Sequence, residues 1–169
     1  MTIKAHVVAF NANEYCDRLG PLYPDVAFSY DLAKGTFSEV TYECEILISF
    51  GLILNAEIFR RNQNIRWVQA LGTGTDGIDN QPDLAPGAVL TSMRGIHTPQ
   101  MTEMAFLQML AFNRNLPKIL DNQRDHVWQR WPGKILDGKT IAILGLGLIA
   151  DALRSEERRV GKECRSRWS

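Results

Sequence analysis

Residues 145–150 have the types and spacing of a nucleotide-binding turn. They read Gly-Leu-Gly-Leu-Ile-Ala, a G-x-G-x-x-A pattern, and follow the apolar run Ile-Ala-Ile-Leu. At a strand-to-helix turn this spacing is the dinucleotide-binding fingerprint, and the free N–H groups and dipole of the following helix favour phosphate. Gly145 would allow the tight turn, Gly147 would let a pyrophosphate approach, and Ala150 would let helix and strand pack closely. An ordinary glycine-rich turn can carry the same string, so the pattern needs support from other segments.

Composition and charge narrow the class of protein. The 169 residues are 45% hydrophobic and 22% charged, with a formal net charge of zero. These values are typical of a globular domain and give no indication of a nucleic-acid or membrane partner. The amino terminus, MTIKAHVVAF, resembles neither a signal peptide nor a membrane span. Cys16, Cys44 and Cys164 lack metal-ligand spacing, so we expect reduced thiols in a cytoplasmic protein and no metal site.

The elements that must position the turn alternate between strands and short helices. Apolar runs predict strands over residues 3–10, 26–30, 46–50, 66–71 and 88–91. Helices are predicted over residues 13–19, over 38–43 with Ser38 as the N-cap, and from the N-cap Asn55 to residue 60 or 61. Strands separated by short helices indicate an α/β fold with a parallel sheet.

Longer helices follow the predicted sheet. Apolar residues at helical spacing predict a helix over residues 100–115, Pro117 interrupts it, and a second helix is predicted to about residue 130. We expect the Met and Leu stripe of the first helix to form core or inter-domain packing. Trp128 and Trp131 are expected under the next connection or at a subunit contact. A buried strand is predicted over residues 141–144, before the glycine-rich turn.

Three segments taken together resemble the D-isomer-specific 2-hydroxyacid dehydrogenases. Residues 67–80, WVQALGTGTDGIDN, are similar to the substrate-loop motif of that family. Residues 89–114 are similar to its strand, loop and inter-domain helix, with Glu103 at an acidic position of the helix, and residues 136–150 match its cofactor turn. The G-I-H-x-P-x-M-x-E form of residues 95–103 is most similar to the branch that reduces glyoxylate or hydroxypyruvate.

The resemblance implies a fold, a cofactor and site residues. It implies a flavodoxin-like substrate domain over residues 1–98, and the inter-domain helices and first βα unit of a truncated Rossmann domain over residues 99–153. NAD or NADP would bind the second domain and a small 2-keto acid the cleft. The backbone of Leu71, Gly72 and Thr73 would hold the substrate carboxylate, because glycines expose N–H groups to an anion. Thr73 would also approach the cofactor.

The same resemblance assigns the remaining roles. Leu148 and Ile149 match residues whose backbone N–H groups meet the pyrophosphate, and the intact protein is expected to be a homodimer. The family's catalytic Arg, Glu and His follow the turn by most of a domain, whereas this chain has no histidine after His126. We therefore expect no catalytic residue in this chain, an inactive fragment, and weak or no cofactor binding. His97 and Arg94 are interpreted as loop residues rather than as the general acid and the substrate-polarising Arg.

Two alternatives stay open. One is a non-enzymatic, nucleotide-sensing binding protein of the same fold, similar to known co-repressors. The other is an unrelated Rossmann enzyme that shares only the G-x-G-x-x-A turn, against which the segments at residues 67–80 and 95–103 argue.

The last sixteen residues differ in character from the rest of the chain. Residues 154–169, RSEERRVGKECRSRWS, hold six basic and three acidic residues with no helical stripe and no strand alternation. One reverse translation resembles a sequencing-library adapter, so we interpret the segment as a non-native tail fused to a truncated gene. The acidic residue that reads the ribose hydroxyls would fall near here, so NAD and NADP are not distinguished.

Overall fold

The computed structural model describes residues 2–33 and 36–159. The chain divides into two compact units, Met1–Arg94 and Gly95–Ser169. In the part of the chain that the structure describes, no helix combines the length and apolar character needed to cross a membrane.

The first unit is built on a five-stranded sheet in which all neighbouring strands are parallel. The strands are β1 (Ile3–Ala9), β2 (Val26–Leu32), β3 (Ile46–Ser49), β4 (Trp67–Ala70) and β5 (Val89–Ser92). Their spatial order is β2-β1-β3-β4-β5, which is the flavodoxin-like, doubly wound order. The predicted α/β class and flavodoxin-like sheet are confirmed.

Short helices connect the strands of this sheet. They are α1 (Ala12–Leu19), α2 (Ala56–Arg61), and 3-10 turns at Glu39–Tyr42 and Gly51–Ile53. Asn55 caps α2 as predicted, because its side chain accepts a hydrogen bond from the Ile58 N–H at 3.2 Å. Ser38 occupies the predicted N-cap position of the 3-10 turn, but its side chain makes no capping hydrogen bond. Its N–H and hydroxyl both donate to the Asp31 carboxylate instead, and a charged acceptor binds such donors more strongly.

Apolar side chains fill both faces of the central strands. On one face, Leu47, Ile58 and Phe59 are fully buried, and on the other Val7 and Ile48 pack with α1 residues. Because β3 and the Val7–Ala9 end of β1 are covered on both faces, these segments are continuous apolar runs rather than alternating ones. Each such buried side chain stabilises the fold by roughly 1.5–3 kcal/mol.

The second unit contains three helices in its described part. They are α3 (Thr98–Arg114), α4 (Leu116–Arg124) and α5 (Leu148–Arg159), and Asn115 joins the first two with a left-handed φ of 54°. The prediction that the second helix runs to about residue 130 is wrong, because α4 ends at Arg124. His126 has a φ of 54°, a conformation that a right-handed helix cannot include.

The structure tests one of the two alternatives in each of two packing expectations for this unit. Met101, Met104, Leu107 and Leu110 on α3 are each about half exposed, so this stripe does not form a core. The Trp128 side chain is almost fully exposed instead of lying under the connection, although Trp131 is partly buried.

The predicted strand over residues 141–144 is not formed. Residues 139–146 have no regular secondary structure, and the Leu144 side chain is fully exposed. A strand needs a neighbour for its N–H and C=O groups, and the described part of the second unit offers no other strand. Helix α5 does follow the glycine-rich turn and continues to Arg159, so residues 154–159 are helical despite lacking a helical stripe. Residues 160–169, including Cys164, lie outside the described residues.

Candidate functional site

Residues 71–75 form the loop that starts at the carboxyl end of β4. We call it the carboxylate loop, after the substrate group that it is predicted to hold. The Leu71 N–H donates to the Ser49 carbonyl at 2.9 Å, and the Gly72 carbonyl accepts from the Met93 N–H at 3.0 Å. These two bonds continue the pairing of β4 with β3 and β5 past its last residue. The loop therefore leaves the sheet at a fixed position, on the edge where open α/β sheets bind ligands.

The three residues predicted to hold a carboxylate differ in what their N–H groups can do. The Leu71 N–H is already bonded within the sheet, and the side chain is buried. The N–H groups of Gly72, Thr73 and Gly74 make no hydrogen bond with the described residues. Thr73 and Gly74 are exposed, so their amide groups can donate to an external anion. Leu71 instead contributes packing below the loop.

A tight turn holds the far end of the loop. The Thr75 carbonyl accepts from the N–H groups of Ile78 and Asp79 at 2.9 and 3.3 Å, and its hydroxyl donates to Asp79 Oδ2 at 2.9 Å. The Ile78 side chain is fully buried in the core beside α2. The loop is thus attached to the sheet at one end and to the core at the other.

A close backbone contact, which sequence reasoning missed, lies beside this turn. Gly51 lies two residues after the end of β3, and a Cβ on it would overlap the carbonyl oxygen of Asp76. A Cβ on Gly77 would lie 2.7 Å from the Gly51 carbonyl oxygen, and Gly77 has a φ of +82°. The available signal was the two glycines themselves, one shortly after β3 and one in the connection after β4, because a residue without a Cβ allows close approach to its backbone.

The predicted cofactor turn is an open segment before α5. Gly145 has a φ of +103°, which favours glycine, and no atom lies within 4 Å of a Cβ built on Gly145 or Gly147. The first-turn N–H groups of α5, at Leu148, Ile149 and Ala150, precede the first helical acceptors. N–H groups at the start of a helix are donors of the kind that bind phosphate. Ala150 is partly buried, but no strand lies beneath it.

The other sequence candidates are dispersed over the surface. Arg94, His97 and Glu103 are exposed, and none of their side chains makes a hydrogen bond or ion pair with the described residues. His97 precedes α3 without capping it through its side chain. The structure therefore brings no general acid and orienting carboxylate together at these positions.

One buried polar cluster was not predicted at all. His6 is fully buried on β1, with Nε2 3.2 Å from Asp31 Oδ2 and Nδ1 2.8 Å from Ser29 Oγ. Thr41 donates its hydroxyl to Asp31 Oδ2 at 2.6 Å and lies 3.0 Å from His6 Nε2. Although Ser, His and Asp are residue types of hydrolase triads, this imidazole is closed off from any substrate. We interpret the cluster as structural.

Burial and hydrogen bonding shift both ionisable groups of this cluster. Burial lowers the pKa of His6, and the charge and hydrogen bond of Asp31 oppose that shift without cancelling it. Burial alone would raise the pKa of Asp31, but hydrogen bonds from Thr41 and Ser38 and the charge of His6 together hold it below its ordinary value. A neutral imidazole beside an ionised carboxylate is the favoured state near neutral pH.

Comparison with curated proteins identifies relatives of this chain. No family model matches it. It is 27% identical over 124 residues to hydroxypyruvate reductase of Thermotoga maritima, covering 72% of the chain and 40% of that protein. It is 26% identical over 106 residues to D-3-phosphoglycerate dehydrogenase of Mycobacterium bovis, covering 62% of the chain and 20% of that protein. The chain thus spans less than half the length of these relatives.

Solved structures share the fold along nearly the whole chain. A D-isomer-specific 2-hydroxyacid dehydrogenase family protein from Aeromonas salmonicida has a TM-score of 0.83 at 22% identity, covering 97% of this chain and 56% of that one. The NADPH-dependent glyoxylate/hydroxypyruvate reductase of Sinorhizobium meliloti, complexed with NADP and malonate, has a TM-score of 0.74 at 20% identity, covering 95% and 51%. Aquifex aeolicus D-lactate dehydrogenase, complexed with NAD and lactic acid, has a TM-score of 0.78 at 15% identity, covering 92% and 49%.

The first unit is a parallel α/β domain, and the second unit carries a glycine-rich turn that is followed by a helix. The relatives and structural neighbours of this chain are NAD(P)-dependent oxidoreductases. The relatives are 2-hydroxyacid dehydrogenases, so the resemblance of this chain to the D-isomer-specific 2-hydroxyacid dehydrogenase family is confirmed.

Proposed function

We propose that this chain is the amino-terminal part of an NAD(P)-dependent D-2-hydroxyacid dehydrogenase that reduces small 2-keto acids of the glyoxylate or hydroxypyruvate type. The observation that carries the proposal is that the N–H groups of Gly72, Thr73 and Gly74, at the carboxyl edge of the sheet, make no hydrogen bond with the described residues. Its support from relatives is the similarity to a hydroxypyruvate reductase over 72% of the chain.

The carboxylate of a 2-keto acid would accept hydrogen bonds from the N–H groups of Gly72 and Thr73. Hydrogen bonds to an ionised carboxylate are about twice as strong as neutral ones, and backbone donors on a fixed loop lose little freedom on binding. The absence of a side chain at Gly72 leaves room for the anion to reach the backbone. This loop would therefore orient the substrate by its carboxylate.

The turn at Gly145 and Gly147, with the first N–H groups of α5, would hold the diphosphate of NAD or NADP. When bound, the nicotinamide supplies the hydride for reduction of the keto carbon. The described residues include no strand in the second unit to support the rest of the dinucleotide. We therefore expect weak or no cofactor binding by the 169-residue chain.

The chain by itself is expected to be inactive. Reduction of a 2-keto acid needs a proton donor at the substrate oxygen as well as a hydride. The three histidines are His6, which is fully buried, and His97 and His126, which are exposed and make no ion pair with the described residues. Neither exposed histidine is held by an orienting carboxylate among the described residues.

For the intact enzyme we propose a homodimer in the cytoplasm. The half-exposed apolar side chains of Met101, Met104, Leu107 and Leu110 on α3 support a subunit contact, because apolar surface of this kind is usually covered in an assembly. The free thiols of Cys16 and Cys44 are compatible with a reducing compartment.

The carboxylate loop is tested by NMR titration of the 169-residue chain with sodium glyoxylate at constant ionic strength, with sodium chloride as the control. We expect saturable amide shifts at Gly72, Thr73 and Gly74 that chloride does not reproduce. If those amide signals stay unchanged while glyoxylate is raised to 50 mM, about fifty times a 1 mM dissociation constant, the loop does not bind the carboxylate and the proposal is wrong.

A further inference from the structure

We propose that Gly51 and Gly77 are positioning residues for the carboxylate loop. Their backbones are in direct contact through Asp76, and this contact sets where the N–H groups of Thr73 and Gly74 point. This inference rests on the proposed function, because it explains how an irregular segment keeps donors aimed at a substrate carboxylate.

This contact, which we call the lock, is between main chains with no side chain between them. A Cβ on Gly51 would overlap the Asp76 carbonyl oxygen and would lie 3.2 Å from Ile78 Cγ1. From the other side, a Cβ on Gly77 would lie 2.7 Å from the Gly51 carbonyl oxygen and 3.0 Å from its carbonyl carbon. Both positions are closed to any side chain, so the turn rests directly on the end of β3.

This contact acts on the part of the loop that other bonds leave free. Leu71 and Gly72 are fixed by the sheet, and Thr75 to Ile78 by the turn and the core. Thr73 and Gly74 lie between these two attachments, and their N–H groups make no hydrogen bond with the described residues. The distance between the turn at residues 75–78 and the backbone of Gly51 therefore sets the position of the Thr73 and Gly74 N–H groups.

The geometry gives the size of the expected effect. To relieve the overlap created by Gly51→Ala, Asp76 must move by on the order of 1 Å, since real Cβ contacts stay near 3 Å or beyond. A displacement of about 1 Å takes a donor from about 2.9 Å to beyond the range of a useful hydrogen bond. We expect at least a tenfold loss of glyoxylate affinity.

The chain offers a matched control for this substitution. Gly77 and Gly87 lie in the same connection and have nearly equal φ values of +82° and +85°. Alanine at either position carries the same left-handed strain, but nothing lies within 4 Å of a Cβ on Gly87. Gly51 has no positive φ, so Gly51→Ala introduces the overlap without that strain.

The experiment measures glyoxylate dissociation constants from the amide shifts of residues 72–74 in four proteins: the 169-residue chain and its variants Gly51→Ala, Gly77→Ala and Gly87→Ala. Amide signals of β1 and β3 report whether the sheet is intact. The inference predicts at least tenfold weaker binding by Gly51→Ala and Gly77→Ala, and binding by Gly87→Ala within twofold of the parent chain. A folded Gly51→Ala variant that binds glyoxylate as tightly as the parent would overturn it.

A measurement on the unmodified chain covers the case in which the alanine variants do not fold. With the lock in place, amide order parameters of residues 73–77 without ligand should be about 0.85, the value of rigid backbone. Values below about 0.6 would overturn the inference. Absence of saturable shifts in the parent chain would contradict the proposed function itself, whereas binding that the Gly51→Ala change leaves intact would contradict only the lock.

Discussion

Replacement of Thr41 by Val probes the buried polar cluster of the first unit. Thr41 is fully buried and donates its hydroxyl to Asp31 Oδ2 at 2.6 Å. Val has nearly the same shape, so the substitution removes this donor without opening a cavity. Asp31 keeps the N–H and hydroxyl of Ser38 and the Nε2 of His6 as partners.

A buried hydrogen bond to a charged group contributes about 1.5–3 kcal/mol. The Asp31 side chain is only 15% exposed, so solvent weakens this contribution little. We expect Thr41→Val to lower the free energy of unfolding of the first unit by about 2 kcal/mol near pH 7. Native-state amide hydrogen exchange of β1 and β3 measures this quantity for the first unit alone.

Thr36→Val is the matched control, because Thr36 lies in the same connection but is exposed and has no side-chain hydrogen bond to the described residues. Its effect should stay within about 0.5 kcal/mol, as for most surface substitutions. The reasoning is refuted if Thr41→Val changes the exchange-derived free energy no more than Thr36→Val does.

Three further outcomes follow from the first unit. Burial holds the pKa of His6 in the folded chain below its ordinary value, so the unfolded chain takes up a proton first as pH falls. The urea midpoint of unfolding should therefore fall as pH drops below about 6.5. A midpoint that stays constant from pH 7.5 to 5.5 would contradict this. Asn55→Ala should lower stability by about 1 kcal/mol through loss of the α2 cap, with Asn55→Asp nearly neutral; equal losses in both variants would show that the cap is not the cause. Burial raises the pKa of Cys44 to about 12, so its thiol should react with iodoacetamide at pH 8 more slowly than that of Cys16, and equal rates would contradict its burial.

The sheet was predictable because its signals are local. The apolar run that became β3 and the Asn55 cap of α2 are both read from a few adjacent residues. The strand predicted over residues 141–144 had an equally strong apolar pattern, but strand formation also needs a pairing partner. The described part of the second unit supplies none, so propensity alone did not decide the outcome.

Features that depend on distant segments were not predictable. Ser38 lies at the predicted N-cap position, but its N–H and hydroxyl donate to the Asp31 carboxylate on β2 and its side chain accepts no hydrogen bond from the turn. The location of the carboxylate loop could be predicted because the loop directly follows a strand. That the Leu71 N–H bonds to the Ser49 carbonyl, and so is not available to a ligand, depends on the register between β3 and β4. The contact of Gly51 with Gly77 likewise forms only when the segments that follow β3 and β4 meet at the carboxyl edge of the sheet.

The decisive assay is oxidation of NADH and NADPH by the product of the gene, re-amplified from its source and read past codon 153. The proposed function predicts that this product reduces glyoxylate or hydroxypyruvate with one of the two cofactors, while the 169-residue chain shows no 2-keto acid-dependent oxidation under the same conditions. A longer product that folds, carries the carboxylate loop and oxidises neither cofactor with any small 2-keto acid would contradict the proposal. Oxidation by the 169-residue chain itself would contradict its predicted inactivity.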